Sequence, residues 1–171
     1  VLDEQDRTKI GDPWPDFVYG LSLGATWKGF DFNVFFQGSQ GNDVLNMTLR
    51  DFESGTGTMN AREGFLNRAW NGEGSTDKYH RISAEQGQNS EISDYFVEDG
   101  SYLRLKNLQL GYNFCERLLK IKGISYLRLY VSAQNLFTLT KYSGLDPEIG
   151  SSNATLNGID QGFYPRHGGC L

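Results

Sequence analysis

The chain has 171 residues, a formal charge of −5, 38% hydrophobic and 13% aromatic residues and a mean hydropathy of −0.49. Its longest apolar run is three residues, as in Val34-Phe35-Phe36, far short of the ~20 that a spanning helix needs. Sixteen basic against twenty-one acidic residues leave no basic footprint for nucleic acid, and the aromatic stock argues against disorder. The charged Val1–Gly11 stretch carries no secretory signal. Cys115 and Cys170 form no CxxC, so neither a zinc site nor a disulfide framework is expected. These averages fit a soluble acidic domain, but they fit a membrane β-barrel too, because strands that alternate faces never raise a hydropathy average.

Period-2 alternation is the dominant signal. From Phe17 to Trp27 the odd positions are apolar (Phe17, Tyr19, Leu21, Leu23, Ala25, Trp27) and the even ones mostly small or polar. Lys28-Gly29 then reads as a two-residue hairpin turn, with Gly free to take the positive φ that a primed turn demands. Beyond it Phe30, Phe32, Val34 and Phe36 continue the pattern. The turn sets a register in which Trp27 faces Phe30, Ala25 faces Phe32, Leu23 faces Val34 and Leu21 faces Phe36. Strands are therefore expected over approximately 17–27 and 30–38.

A third strand is expected over approximately 101–114. Leu103 and Leu105 lie in one phase there, Leu108, Leu110, Tyr112 and Phe114 in the other. Either a one-residue bulge near Lys106-Asn107 joins them or the first part stands above the apolar zone. A fourth strand, approximately 124–139, reads Leu127, Leu129, Val131, Ala133, Asn135, Phe137 and Leu139 on its odd side, and its even side includes Arg128, Ser132, Gln134 and Thr138. The connections are unequal: two residues at Lys28-Gly29 and about nine at Cys115–Gly123, but long polar loops over approximately 43–100 and 140–166. A compact soluble domain rarely carries such loops, whereas outer-membrane barrels have short periplasmic turns and long external loops.

Strand length points the same way. Ten intervals at ~3.3 Å give about 33 Å, and tilted by ~40° this covers the ~25 Å lipid-facing band of a bacterial barrel. Leu21, Leu23, Val34, Phe36, Leu129 and Val131 are the expected lipid-facing positions. Phe17 and Tyr19 at the loop end, with Trp27, Phe30, Tyr112 and Phe114 at the turn end, match two interfacial girdles. The expected fold is all-β, an antiparallel transmembrane β-barrel fragment of about four long strands.

Catalytic motifs are thin. Gly20-Leu21-Ser22-Leu23-Gly24 matches GxSxG, but it lies inside an unbroken strand pattern rather than at the strand–turn–helix bend of a nucleophile elbow. His80 and His167 are the two histidines, too few for a convincing triad or His-based metal centre. Glu98-Asp99, Asp146, Glu148, Asp43 and Asp160 could supply a carboxylate pair, yet as loop acids they read as turn-makers. Asn46-Met47-Thr48 and Asn153-Ala154-Thr155 fit the glycosylation acceptor pattern, which a bacterial barrel leaves bare. The loop aromatics Phe52, Phe65, Trp70, Tyr79, Phe163 and Tyr164 could stack on sugar rings or pack the loops. No enzyme, metal or cofactor is expected.

Several longer words are family-like. Gly11-Asp12-Pro13-Trp14-Pro15-Asp16-Phe17, Lys28-Gly29-Phe30-Asp31-Phe32 and Phe35-Phe36-Gln37-Gly38-Ser39-Gln40-Gly41-Asn42-Asp43 resemble the C-terminal barrel of SusC/RagA-type TonB-linked outer-membrane proteins. So do the run from Ser93-Asp94-Tyr95 to Lys106-Asn107, the run from Leu127-Arg128-Leu129 to Asn135-Leu136-Phe137, and Tyr142-Ser143-Gly144-Leu145-Asp146-Pro147-Glu148. The resemblance covers about 11–165 in the family's order. It implies part of a transporter in the outer membrane of a Gram-negative bacterium of the Bacteroidetes. Such a transporter imports oligosaccharides or peptides with energy relayed by TonB, and a SusD-like surface lipoprotein closes over it. A large plugged barrel has about 22 strands, so four make a sector. The plug and TonB-contacting region are expected to be absent, and the chain to stop before the family's last strand, at His167-Gly168-Gly169-Cys170-Leu171. Strand parity makes Asn33, Gln37, Arg128, Tyr130 and Gln134 candidate lumen- and substrate-facing groups. The alternatives are a soluble carbohydrate-binding β-domain and, behind it, a glycoside hydrolase fragment.

Overall fold

The computed structural model describes residues 7–53, 60–82, 91–114, 126–149 and 156–162. Cys115, Cys170, His167, Phe163, Tyr164, Asn153-Ala154-Thr155, the 115–123 turn and the 167–171 ending lie outside these residues. The chain divides into two compact units, one from 15–41 with 100–141, the other from 1–14, 42–99 and 142–171. No helix among the described residues is long and apolar enough to cross a membrane.

The first unit is a four-stranded antiparallel sheet in the order β1-β2-β5-β6. Its strands are β1 (Phe17–Trp27), β2 (Phe30–Gln40), β5 (Tyr102–Phe114) and β6 (Leu127–Thr140). Lys28 and Gly29 both take positive φ, 47° and 92°, the pair of left-handed residues that a type I′ turn requires. The resulting register pairs Trp27 with Phe30, Ala25 with Phe32, Leu23 with Val34 and Leu21 with Phe36, as the alternation predicts. β2 runs on to pair Gln40 with Phe17.

The two phases of β5 are joined by a bulge. Phe35 pairs with Asn107 and Phe36 with Leu105, leaving Lys106 as the extra residue. On the other side Asn107 pairs with Gln134 and Leu105 with Phe137, with Asn135 in the left-handed region at φ 50°, a conformation that Asn tolerates better than most residues. Leu103 and Leu105 thereby share a face with Leu108, Leu110, Tyr112 and Phe114.

The second unit is made from the stretches expected to be loops, and it has secondary structure of its own. β3 (Asp43–Asn46) pairs antiparallel with β4 (Val97–Asp99) and parallel with β7 (Ile159–Asp160). Helix α1 (Met47–Glu53) follows β3 directly, and a short α2 (Phe65–Arg68) and a 3₁₀ turn (Asp94–Phe96) complete it. Asn46 caps α1, its Oδ1 accepting the Leu49 N–H at 2.8 Å, the N3 contact that such a cap makes. Val44, Phe65, Ala69, Phe96 and Tyr142 are buried.

Candidate functional site

The register of the four-stranded sheet sorts its side chains into two faces. One carries Leu21 and Leu23 on β1, Phe30, Val34 and Phe36 on β2, Leu105, Leu108, Leu110, Tyr112 and Phe114 on β5, and Leu127, Leu129 and Val131 on β6. Much of this apolar face is open: Leu23 is 50% exposed, Leu129 58% and Val131 76%. Val34, between two paired strands, is buried on the same face. The aromatics group at the two ends. Phe17 and Tyr19 lie 5.9 Å apart at one. At the other, Tyr112 packs between Phe30 at 4.6 Å and Phe114 at 4.7 Å. Tyr19 needs Gly38 beneath it, since a Cβ there would come within 2.7 Å of the Tyr102 carbonyl and closer still to the Tyr19 ring.

The opposite face is polar, and it carries all five residues selected by parity. Asn33 pairs with Gln109, which pairs with Ser132; Gln37 with Arg104, then Thr138. Gln134 faces Asn107, Tyr130 faces Gly111 and Arg128 faces Asn113. Glycines cut notches into this face that let β2 side chains lie over neighbouring strands. A Cβ at Gly20 would sit 3.2 Å from the Phe35 ring, one at Gly24 3.0 Å from Asn33 Oδ1, and one at Gly111 2.6 Å from Asp31 Oδ1.

Near the turn end the notch at Gly111 holds a cluster. Asp31 takes a bidentate pair from Arg128, Nη2 to Oδ2 at 2.5 Å and Nε to Oδ1 at 3.2 Å, and a third bond from Asn113 Nδ2 at 3.1 Å. Tyr126 donates its hydroxyl to Asn113 Oδ1 at 2.7 Å, and the Arg128 guanidinium lies 5.4 Å from the Tyr130 ring centre. Asp31 and Asn113 were not among the residues chosen from sequence. The available signal was that Asp31 is the one charge on the small face of the first hairpin. Chemically, this face offers amides, hydroxyls and neutralised charge, which suits non-covalent binding of a polar solute.

In the second unit Glu98, Asp160 and Glu53 are tied up in structural hydrogen bonds. Glu98 accepts bonds from Asn46 Nδ2 at 3.0 Å and from the Ser143 backbone and hydroxyl, each at 2.7 Å. Asp160 accepts the Tyr142 hydroxyl and the Gly162 N–H. Buried Glu53 accepts the Tyr95 hydroxyl at 2.7 Å; burial pushes the Tyr95 phenol pKa up and the Glu53 carboxylate adds to it, so Tyr95 stays a donor. Of the loop aromatics, Phe65 is core and Tyr79 carries the Arg68 guanidinium over its ring, while Phe52 and Trp70 are exposed.

No family model matches the chain. Curated relatives do: TonB-dependent receptor P3 of Formosa agariphila is 42% identical over 170 residues, spanning 96% of this chain and 16% of the relative. TonB-dependent receptor SusC of Bacteroides thetaiotaomicron is 34% identical over 175 residues, 97% of this chain and 15% of that protein. Among solved structures, the RagAB peptide importer in its closed-closed state superimposes with a TM-score of 0.72 at 31% identity, covering 90% of this chain and 16% of the matched one. The chain is homologous to the barrel region of the SusC/RagA-type TonB-dependent receptors. It spans about one sixth of the length of the relatives it matches. The four strands run 11 to 14 residues, well beyond the usual five or six, as fits a fragment of a larger barrel.

Proposed function

We propose that the four-stranded sheet is a sector of the wall of an outer-membrane transporter, apolar face to lipid and polar face to the lumen. The observation that carries this reading is the division of one sheet into an exposed apolar face and a hydrogen-bonding face notched by glycines. Homology to TonB-dependent receptors supports it. The receptor's cargo is an oligosaccharide or a peptide, a SusD-like lipoprotein is its partner outside, and TonB acts through a region other than this chain. The chain does no covalent chemistry: Asn33, Gln37, Arg128, Tyr130 and Gln134 line the path of the cargo. Leu21, Leu23, Phe36, Leu129 and Val131 contact lipid, with Val34 buried beneath its neighbours on the same face. The stretches after Gln40 and Thr140 belong to the external side.

The test uses a complete barrel containing residues 1–171. Leu23→Arg is expected to lower the yield of assembled, heat-modifiable barrel, because a cation facing lipid near mid-depth costs about 2–4 kcal/mol. Gln37→Ala is expected to leave assembly intact and change uptake. Normal assembly of Leu23→Arg would refute the orientation of the faces.

A further inference from the structure

The hairpin turn between β1 and β2 contains a lysine where the backbone favours another residue. Lys28 has φ 47°, the left-handed region in which Asn, Asp and Gly are the usual occupants of a type I′ turn. A residue kept in a disfavoured conformation invites a functional explanation, and the placement of its side chain supplies one. Lys28 is exposed, and its Nζ lies 4.8 Å from the ring centre of Trp27, itself 68% exposed. Trp27 shares the apolar face with Phe30, Tyr112 and Phe114 at the same end of the sheet. The ammonium therefore stands on the apolar side of the sheet, at the rim of its aromatic belt. No carboxylate among the described residues pairs with it; the nearby Asp31 lies on the other face and is held by Arg128 and Asn113.

We propose that Lys28 and Trp27 form a docking point for the headgroup of an anionic phospholipid at the turn end of the apolar face. This rests on the reading that the face contacts lipid. An aromatic belt sits at headgroup depth, and a long basic side chain at such a boundary lays its stem on apolar surface and its charge toward the headgroups. The Trp27 ring orients the ammonium by cation–π attraction while leaving its outer hydrogens to a phosphate. Phosphatidylglycerol, whose phosphate has no internal cation, satisfies Lys28 better than phosphatidylcholine, whose quaternary ammonium competes.

The test is local. In a complete barrel containing residues 1–171, Phe30 is replaced by p-benzoylphenylalanine, an aromatic photo-crosslinker directly opposite Trp27. The barrel is reconstituted in an equimolar mixture of phosphatidylglycerol and phosphatidylcholine with the same acyl chains. Irradiation followed by mass spectrometry gives the ratio of the two adducts. With Lys28 the ratio is expected to favour phosphatidylglycerol by about fivefold, the equivalent of ~1 kcal/mol for one basic residue at a membrane surface. Lys28→Asn, which suits the left-handed turn and so preserves folding, is expected to bring the ratio to about one, and Lys28→Arg to keep it raised. A ratio near one with Lys28 present, or one unchanged in Lys28→Asn, overturns the docking point while leaving the lipid-facing reading intact. Absence of adducts with either lipid overturns both.

Discussion

Arg128 on β6 clasps Asp31 on β2 across the whole width of β5, and Gly111 is the reason it can. The carboxylate lies where a Gly111 side chain would be, with Oδ1 2.6 Å and Oδ2 2.7 Å from the position of a Cβ. The guanidinium closes on it with two bonds. Two strands that are not neighbours are thus tied together on the polar face. Gly111→Ala is expected to destabilise the barrel more than Arg128→Lys, because it evicts the carboxylate, whereas Lys retains charge but loses the planar fork. Heat-modifiability of a complete barrel ranks them: wild type above Arg128→Lys, and Gly111→Ala lowest. Equal stability of all three would mean that the pair does nothing for the wall.

The proposed lipid contact predicts a gradient with depth. Arg placed at Val131, in the middle of β6, should cost about 2–4 kcal/mol, while Arg at Leu127, where β6 begins beside Phe114, should cost about 0–1 kcal/mol. Both residues share the apolar face, so a soluble face would penalise neither in this order. Urea titration of folded barrels in lipid vesicles separates the two outcomes.

Gly38 is expected to resist even its smallest enlargement. An added methyl meets the Tyr19 ring on one side and the Tyr102 carbonyl, at 2.7 Å, on the other, and overpacking of this kind costs about 1–3 kcal/mol. The second contact is with backbone, so combining Gly38→Ala with Tyr19→Ala should restore only part of the loss. Full restoration in the double variant, measured by the same titration, would place the whole conflict on the tyrosine.

The hairpin was legible in the sequence because its information is local: a two-residue turn, with alternation from Phe17 to Trp27 before it and from Phe30 to Phe36 after it, defines one register. The β5 bulge was half legible, as two phases that meet at Lys106; choosing between a bulge and a protruding segment needed the pairing of Leu105 with both Phe36 and Phe137. The small sheet of the second unit was not legible. Its strands hold two to four residues, too few for a periodicity, and Leu45 pairs with Ile159 across more than a hundred residues of chain. The Asp31–Arg128 clasp was missed for a related reason, since parity assigns a face but says nothing of reach across an intervening strand.

The start of the second unit carries a carboxylate whose ionisation can be followed. Asp12 binds the Lys9 ammonium at 2.6 Å and the Trp14 N–H at 3.1 Å, and its backbone exchanges two bonds with Asp43, N–H to Oδ2 at 2.9 Å and carbonyl from N–H at 2.7 Å. The Lys9 hydrogen bond, followed by that of Trp14, holds the Asp12 carboxyl below its ordinary value of 3.8. A carboxylate with a lowered folded-state pKa stabilises the fold above its unfolded value and loses that contribution as pH falls through the folded one. The turn around Asp12 should therefore be intact at neutral pH and loosen only on acidification below the ordinary carboxylate range. Deuterium uptake over residues 9–14, corrected for intrinsic exchange and followed from about pH 6 to about pH 2.5, is expected to rise at the acid end. Asp12→Asn keeps an acceptor for Trp14 but cannot ionise, so it should flatten the profile and separate Asp12 from its neighbour Asp43. A wild-type profile as flat as that of Asp12→Asn would show that the carboxylate contributes nothing to holding this turn.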